Sequence, residues 1–285
     1  MTHRIREQAR SHIGKSLYEK ALMSQHHTEL LMYVAPEPIR AANERWIARI
    51  LEQLGHTRLS ADGLSLPELW LSPDLLLTQT CGYPLMTALR GQVRLVGRPR
   101  YELPDASAGS HCSLILSRAD DPRQTLAQLR DSRGVINSGD SNSGMNLFRQ
   151  RLAPLHQHGQ FFASVGISGG HRESLRWLRE HRADLAAIDS VTYAYLAQHA
   201  PQEVSALRVI ARSALSPTLP FITVASATDE QIETLRHVMN QTLRELPDVA
   251  KTLGLPEILP ASTRDYQILL DYQQEAEAAG YSHVR

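Results

Sequence analysis

VINSGDSNSGMNLFRQRL, residues 135–152, joins two patterns at one point. An apolar run ends at Asn137 in a cluster of Ser, Gly, Asp and Asn, and a helical spacing of apolar residues takes over by Met145. Such residues make ordinary turns, because Gly accepts unusual backbone angles and Asn, Asp and Ser bond their own backbone. The same cluster between a strand and a helix start can also hold a small anion. Free N–H groups point out of the helix there and its dipole favours negative charge. The other strand–helix junctions of the chain bear on the choice.

Downstream, FFASVGIS (161–168) reads as a strand, HRESLRWLREHR (171–182) as a helix, ADLAAID (183–189) as a strand and SVTYAYLAQHA as a helix. A strand LRVIARS (207–213), a strand FITVAS (221–226) and an amphipathic helix over 229–246 follow, and two shorter helical patterns end the chain. Upstream, ELLMYVA (29–35) reads as a buried strand. The helix after it has Ile39, Ala42, Trp46, Ile47 and Ile50 at helical spacing, Pro38 near its start and Gly55 as its stop. Strands are also expected at 73–80, 92–99, 112–117 and 134–137, and short helices at 84–90 and 125–133. Strands alternating with helices of this length call for parallel βαβ units, hence an α/β fold.

In open α/β sheets ligands collect at the carboxyl ends of the strands. Ser138–Gly144 follows one strand, Gly169-Gly170-His171 another, and Asp189-Ser190 closes a third. Three helix starts therefore carry Ser, Gly, His or Asp. Hydroxyls of Ser141 and Ser143 add donors, and Gly144 allows close backbone approach. Each junction alone is also explained by helix capping, with Ser141, Asn142 or Ser143 as an N-cap, Asp189 capping the next helix and His171 at the surface. Neither GxGxxG nor a P-loop pattern occurs, so a nucleotide site has no support.

Composition narrows the partners. The chain has 285 residues, with Lys+Arg 30 against Asp+Glu 30, so no net field attracts nucleic acid or an anionic membrane. No apolar run is long enough to span a bilayer. Cys81 and Cys112 have no metal-type spacing and read as free thiols. No metal and no cofactor is expected. Residues 1–27 are polar, lack the apolar stretch of a secretory signal, and read as an extension outside the fold.

Taken in order, SNSG at a helix start, SGGHRESLRWL, ADLAAID and LPFIT resemble the solute-binding proteins of phosphate and phosphonate ABC transporters. The resemblance covers about residues 28–285, and QTCGYP (79–84) and GSHCS (109–113) are similar to a transporter-linked branch of that family. It departs from the family pattern at Asn142, where Thr or Ser is usual, and in lacking a signal peptide. It implies the type II periplasmic-binding-protein fold, two discontinuous α/β lobes with a ligand cleft between them. Lobe one would be 28–107 plus 217–285 and lobe two 110–213, with a hinge near 104–110 and 213–218.

The implied ligand is a small oxyanion compound: phosphate, a phosphonate or a phosphate ester. Ser141, Asn142, Ser143 and Gly144 would hold the anion and His171 would donate a further bond. Asp189, with Ser190 beside it, would accept from a ligand amine or hydroxyl or orient His171, and Tyr83 would close the cleft from lobe one. An ABC permease is the implied partner and the periplasm the implied location. The rival expectation is a cytoplasmic enzyme on the same fold, similar to those of menaquinone or thiamine-precursor synthesis, with His171 and Asp189 as an acid–base pair. A regulatory effector module has less support, because residues 1–28 hold no helix-turn-helix.

Overall fold

The computed structural model describes residues 24–285. The expected extension therefore lies outside the described residues up to Met23, while Gln25–His27 already belong to the first strand. In chain order the first strands are β1 (Gln25–Glu29), β2 (Thr57–Arg58), β3 (Leu75–Gln79) and β4 (Val93–Arg100). The chain then crosses through a short hairpin, β5 (Ala106–Ser107) and β6 (Ser110–His111). It builds a second sheet from β7 (Ser113–Arg118), β8 (Arg133–Ile136), β9 (Ser164–Ile167), β10 (Leu185–Asp189) and β11 (Leu207–Arg212). It returns through β12 (Ser216–Pro217) to β13 (Phe221–Val224) and β14 (Glu257–Leu259).

The first sheet has six strands in the order β14-β4-β13-β3-β1-β2, and the second has five in the order β11-β7-β10-β8-β9. Both are mixed, not parallel throughout as the βαβ pattern suggested. β13 runs antiparallel to β3 and β4, and β7 antiparallel to β10 and β11. The reason is topological. β7 and β13 are the strands that enter a sheet from a crossing, without a preceding strand–helix unit of that sheet to set their direction. The crossings themselves are bonded to each other, since β12 pairs antiparallel with β6 through Ser216 opposite His111.

The helix Glu37–Leu54 covers the first sheet with the periodic face expected of it: Ile39, Ala42, Trp46, Ile47 and Ile50 are all buried. Each of the three isoleucines contributes about 1.5–3 kcal/mol on full burial. The strand expected at 29–35 forms earlier, at Gln25–Glu29, where polar residues are satisfied in place. Arg58 pairs with Glu29, and Thr78 Oγ1 bonds the Glu29 carbonyl. The apolar residues that suggested a strand form a loop instead, with Leu31 and Val34 exposed. The helix expected at 125–133 shrinks to one 3₁₀ turn, Ala127–Leu129, as Asp131 takes a left-handed φ of 60°.

The second sheet is sandwiched between two apolar clusters, one around Phe148, Phe161 and Phe162, the other around Leu114, Leu175 and Ile188. The final helix, Ile268–Ala278, begins on the first side and ends on the second. Leu269 packs with Leu85 and Ile222, but Ala276 and Tyr281 pack with Phe148 and Phe161. The last turn of the chain thus attaches to the second sheet, where sequence reasoning had placed all of 217–285 with the first. Tyr281 is fully buried there and needs that apolar site.

Candidate functional site

The opening stretch forms a strand, a loop and an unusually wide helix start. After β8, Ser141 stands as N-cap with an extended backbone, and its Oγ accepts the Gly144 N–H at 3.0 Å. The first turn, Asn142–Asn146, is a π-turn in which the Asn146 N–H reaches the Ser141 carbonyl at 3.0 Å, and an α-helix continues over Leu147–Leu152. A helix start leaves its first N–H groups without partners inside the helix. Two are used locally: Gly144 by Ser141, and Asn142 by the Cys81 Sγ at 3.2 Å.

The second junction begins the helix His171–Arg179, where Gly170 supplies the cap position and no side chain closes the end. His171 Nε2 lies 2.8 Å from Ser143 Oγ, so the two helix starts touch. Gly144 makes this approach possible. A methyl group there would fall 1.9 Å from Asn137 Oδ1 and 3.1 Å from His171 Cε1. Burial lowers the His171 pKa below 6.5; the nearby Asp189 charge opposes that and His111 adds to it.

The third junction is closed. Asp189 Oδ1 accepts the N–H groups of Val191 at 2.9 Å and Thr192 at 3.0 Å, capping the helix Ser190–His199. Tyr33 donates its hydroxyl to the same carboxylate at 3.2 Å, and His111 Nδ1 sits 3.0 Å from Oδ2. Burial works against the charge of Asp189. The opposing charge and bond of His111, the charge of His171 and the Thr192 N–H outweigh it and hold the pKa below 3.8. This carboxylate is ionised and fully engaged.

Ser141, Ser143, His171 and Asp189 share a cleft of about 440 Å³. Its two walls differ in kind. The polar wall is Asn137, Ser138, Asp140, Ser141, Ser143, Gly169–His171, Asp189 and Thr192, and the remaining lining is Leu31–Val34, Leu66, Trp70, Cys81, Pro84 and Leu219. Asp140 and Asp189 are lining residues, and the described lining includes no lysine or arginine.

The other sequence-predicted residues are placed elsewhere. Tyr83 turns away from the cleft; its hydroxyl donates to Gln273 Oε1 at 2.6 Å and its ring packs on the cluster around Phe148. Asn142 spends its side chain on Ser216 Oγ at 3.1 Å, tying the helix to the return crossing. Ser190 Oγ bonds the Asp105 carbonyl at 2.9 Å, and Gly144 serves through its missing side chain. Sequence reasoning missed Tyr33, His111 and Cys81. QTCGYP and GSHCS drew attention to Cys81 and His111, but nothing local marks Tyr33, whose partner is 156 positions away. Cys81 and Cys112 are both buried and unlinked.

Comparison with known proteins gives one family and one shared fold. A sequence model of the family described as "ABC transporter, phosphonate, periplasmic substrate-binding protein" matches residues 73–266. No curated protein sequence matches the chain. A binding-protein component of an ABC phosphonate transporter from Pseudomonas aeruginosa superposes with a TM-score of 0.76 at 13% identity, covering 90% of this chain and 88% of that one. PhnD1 from Prochlorococcus marinus in complex with methylphosphonate gives 0.69 at 11%, covering 89% and 98%. The alkanesulfonate-binding protein SsuA from Xanthomonas axonopodis pv. citri bound to MOPS gives 0.63 at 17%, covering 90% and 93%. At these identities the structures show a shared two-lobed fold. The family match extends over more than half of the 285 residues, and with it the chain belongs to the periplasmic substrate-binding proteins of phosphonate-type ABC transporters.

Proposed function

We propose that the protein binds a small oxyanion compound between its lobes, with the anion at the meeting point of the helix starts at Asn142 and His171. The observation that carries this reading is the 2.8 Å contact between Ser143 Oγ and His171 Nε2, which brings two N-terminal helix ends to one spot in the cleft. Ser143 is the donor to the anion in this reading, its oxygen accepting from His171 Nε2. Ser141 shapes the turn, and Asp189 positions its surroundings instead of contacting ligand, since its oxygens already have partners. The bodies 28–107 with most of 217–285, and 110–213, would close by bending at 104–110 and 213–218. Ligand delivery to an ABC permease is the role this assigns. No step of catalysis is required, because the His171–Asp189 pair of the enzyme reading is not a hydrogen-bonded pair: Asp189 is taken by Tyr33, His111 and its own helix.

Separate substitutions test the assignment. A hydrogen bond to a charged group contributes about 1.5–3 kcal/mol. Ser143→Ala should weaken binding of methylphosphonate or phosphate roughly 10- to 150-fold by calorimetry with little change in melting temperature. Ser141→Ala should instead lower stability by about 1 kcal/mol through the lost cap. Wild-type affinity in Ser143→Ala would show that the opening stretch is only a helix start.

A further inference from the structure

A second hollow, of about 410 Å³, lies at the other end of the first sheet. It is a groove between the end of the helix Glu37–Leu54 and the start of the helix Asp229–Glu245. Leu54, Leu75, Leu76, Val224 and Leu235 give it an apolar lining. Leu54, Leu76 and Val224 are only half-buried, although each packs on a core cluster. Apolar surface left partly open in one place marks an interaction site. The groove is remote from the anion site. β3 runs from Leu75 in the groove toward Cys81 in the cleft, so about 20 Å separates them at about 3.3 Å per residue. Its floor crosses the neighbouring strands β13, β3 and β1. Two strand spacings of about 4.8 Å make it about 10 Å wide, the width of one α-helix.

The chain itself arrives at this place. Ser24 Oγ lies 2.8 Å from His56 Nδ1 and 3.1 Å from His26 Nε2, and both histidines line the groove. Residues 1–23 therefore join the fold beside it, and their sequence suits it. Ile5, Ala9, Ile13, Leu17 and Ala21 stand four positions apart, the spacing of one helix face. Arg4, Arg6, Arg10, Lys15 and Lys20 outnumber Glu7 and Glu19. The described lining of the groove holds no lysine or arginine. Asp229 and Glu233 are held by Arg94 and Arg236, but Glu230, in the lining, has no basic partner among the described residues. We propose that residues 5–22 of this same chain pack into the groove, apolar side inward and basic side toward Glu230, and close the open end of the first sheet. The proposal is independent of what the cleft binds.

The test places a thiol in the groove of the full chain, as Val224→Cys, and follows its modification by a thiol reagent. Cys81 and Cys112 are buried and stay silent in the folded protein. A covered thiol reacts only when its cover opens. Adding Ile13→Asp/Leu17→Asp, outside the described fold, should therefore speed the reaction roughly tenfold or more, with the thermal melt still cooperative. Thr234→Cys, at an exposed lining position, gives the same comparison where Val224→Cys does not fold. Protection in the chain with Ile13 and Leu17 intact should not change on dilution. Equal rates with and without the aspartates overturn the proposal. Protection that fades on dilution overturns it too, because a second copy then fills the groove.

Discussion

Asp189→Asn is the substitution that most directly probes how the cleft is held. Asn is a good helix N-cap, so its remaining oxygen keeps the bonds from Val191 and Thr192. What disappears is the charge opposite His111 and an acceptor for the Tyr33 hydroxyl, which now meets an amide N–H₂. One hydrogen bond to a buried charge accounts for about 1.5–3 kcal/mol, so the variant should lose about 2 kcal/mol at pH 7. For a chain of this size that is a fall of about 4 °C or more in melting temperature. The folded carboxylate titrates below 3.8. Its depressed pKa therefore stabilises the fold at all pH above the unfolded value near 4, and that contribution is lost as pH falls through the lower folded value. The gap between wild type and Asp189→Asn should be constant from pH 7 to about 4.5 and shrink in more acidic solution. Denaturant melts across that range measure it, together with Tyr33→Phe and the double variant. The two changes share one interaction, so the double variant should be more stable than their sum predicts by at least 0.5 kcal/mol. A stability for Asp189→Asn equal to wild type, or strict additivity with Tyr33→Phe, would refute the account of Asp189 as the engaged centre of this site.

Three other outcomes follow from the geometry. Binding of methanesulfonate, whose own charge does not titrate, should be level from pH 8 to 6.5 and tighten only in more acidic solution, because His171 protonates below its ordinary range and then attracts the anion with its positive charge; a profile that tightens mainly between pH 8 and 7 contradicts this. Cys81 is pushed upward by burial and Cys112, also by burial, to about 11, so both should resist a thiol reagent at pH 8 in the native protein and react once it is unfolded without reductant; fast native labelling of either is incompatible with the structure. Tyr83→Phe should leave ligand affinity within twofold and cost about 1 kcal/mol of stability through the lost bond to Gln273, whereas a large change in affinity would return Tyr83 to the cleft.

The parts of the molecule legible in sequence are those governed by local pattern. The helix Glu37–Leu54 follows from the spacing of Ile39, Trp46 and Ile50, and β10 with its closing Asp189 from an apolar run ended by a capping residue. Ser143 and His171 were singled out because helix starts after strands have recognisable chemistry, although their mutual contact is a tertiary fact. The first strand was displaced for a physical reason. QHHTE carries no apolar alternation, and it is buried only because Arg58 and Thr78 arrive from elsewhere to satisfy it. The apolar residues beside it serve the cleft wall, and periodicity cannot separate a ligand-facing surface from a core-facing one. Tyr83, expected in the cleft, bonds Gln273, 190 positions away, a contact no local pattern announces.

The final helix has a mechanical consequence. The two crossings are bonded to each other, β6 with β12, so they join the two sheets at one place. Ile268–Ala278 is a third tether, gripped at Leu269 by one body and at Ala276 and Tyr281 by the other. Asn146 Nδ2 bonds the Leu269 carbonyl near the helix start at 2.9 Å, and Arg149 holds the Ser282 carbonyl beyond its end at 2.9 Å. A strut fixed at both ends behaves as a spring: any widening of the gap must bend the helix or peel Tyr281 from its aromatic seat.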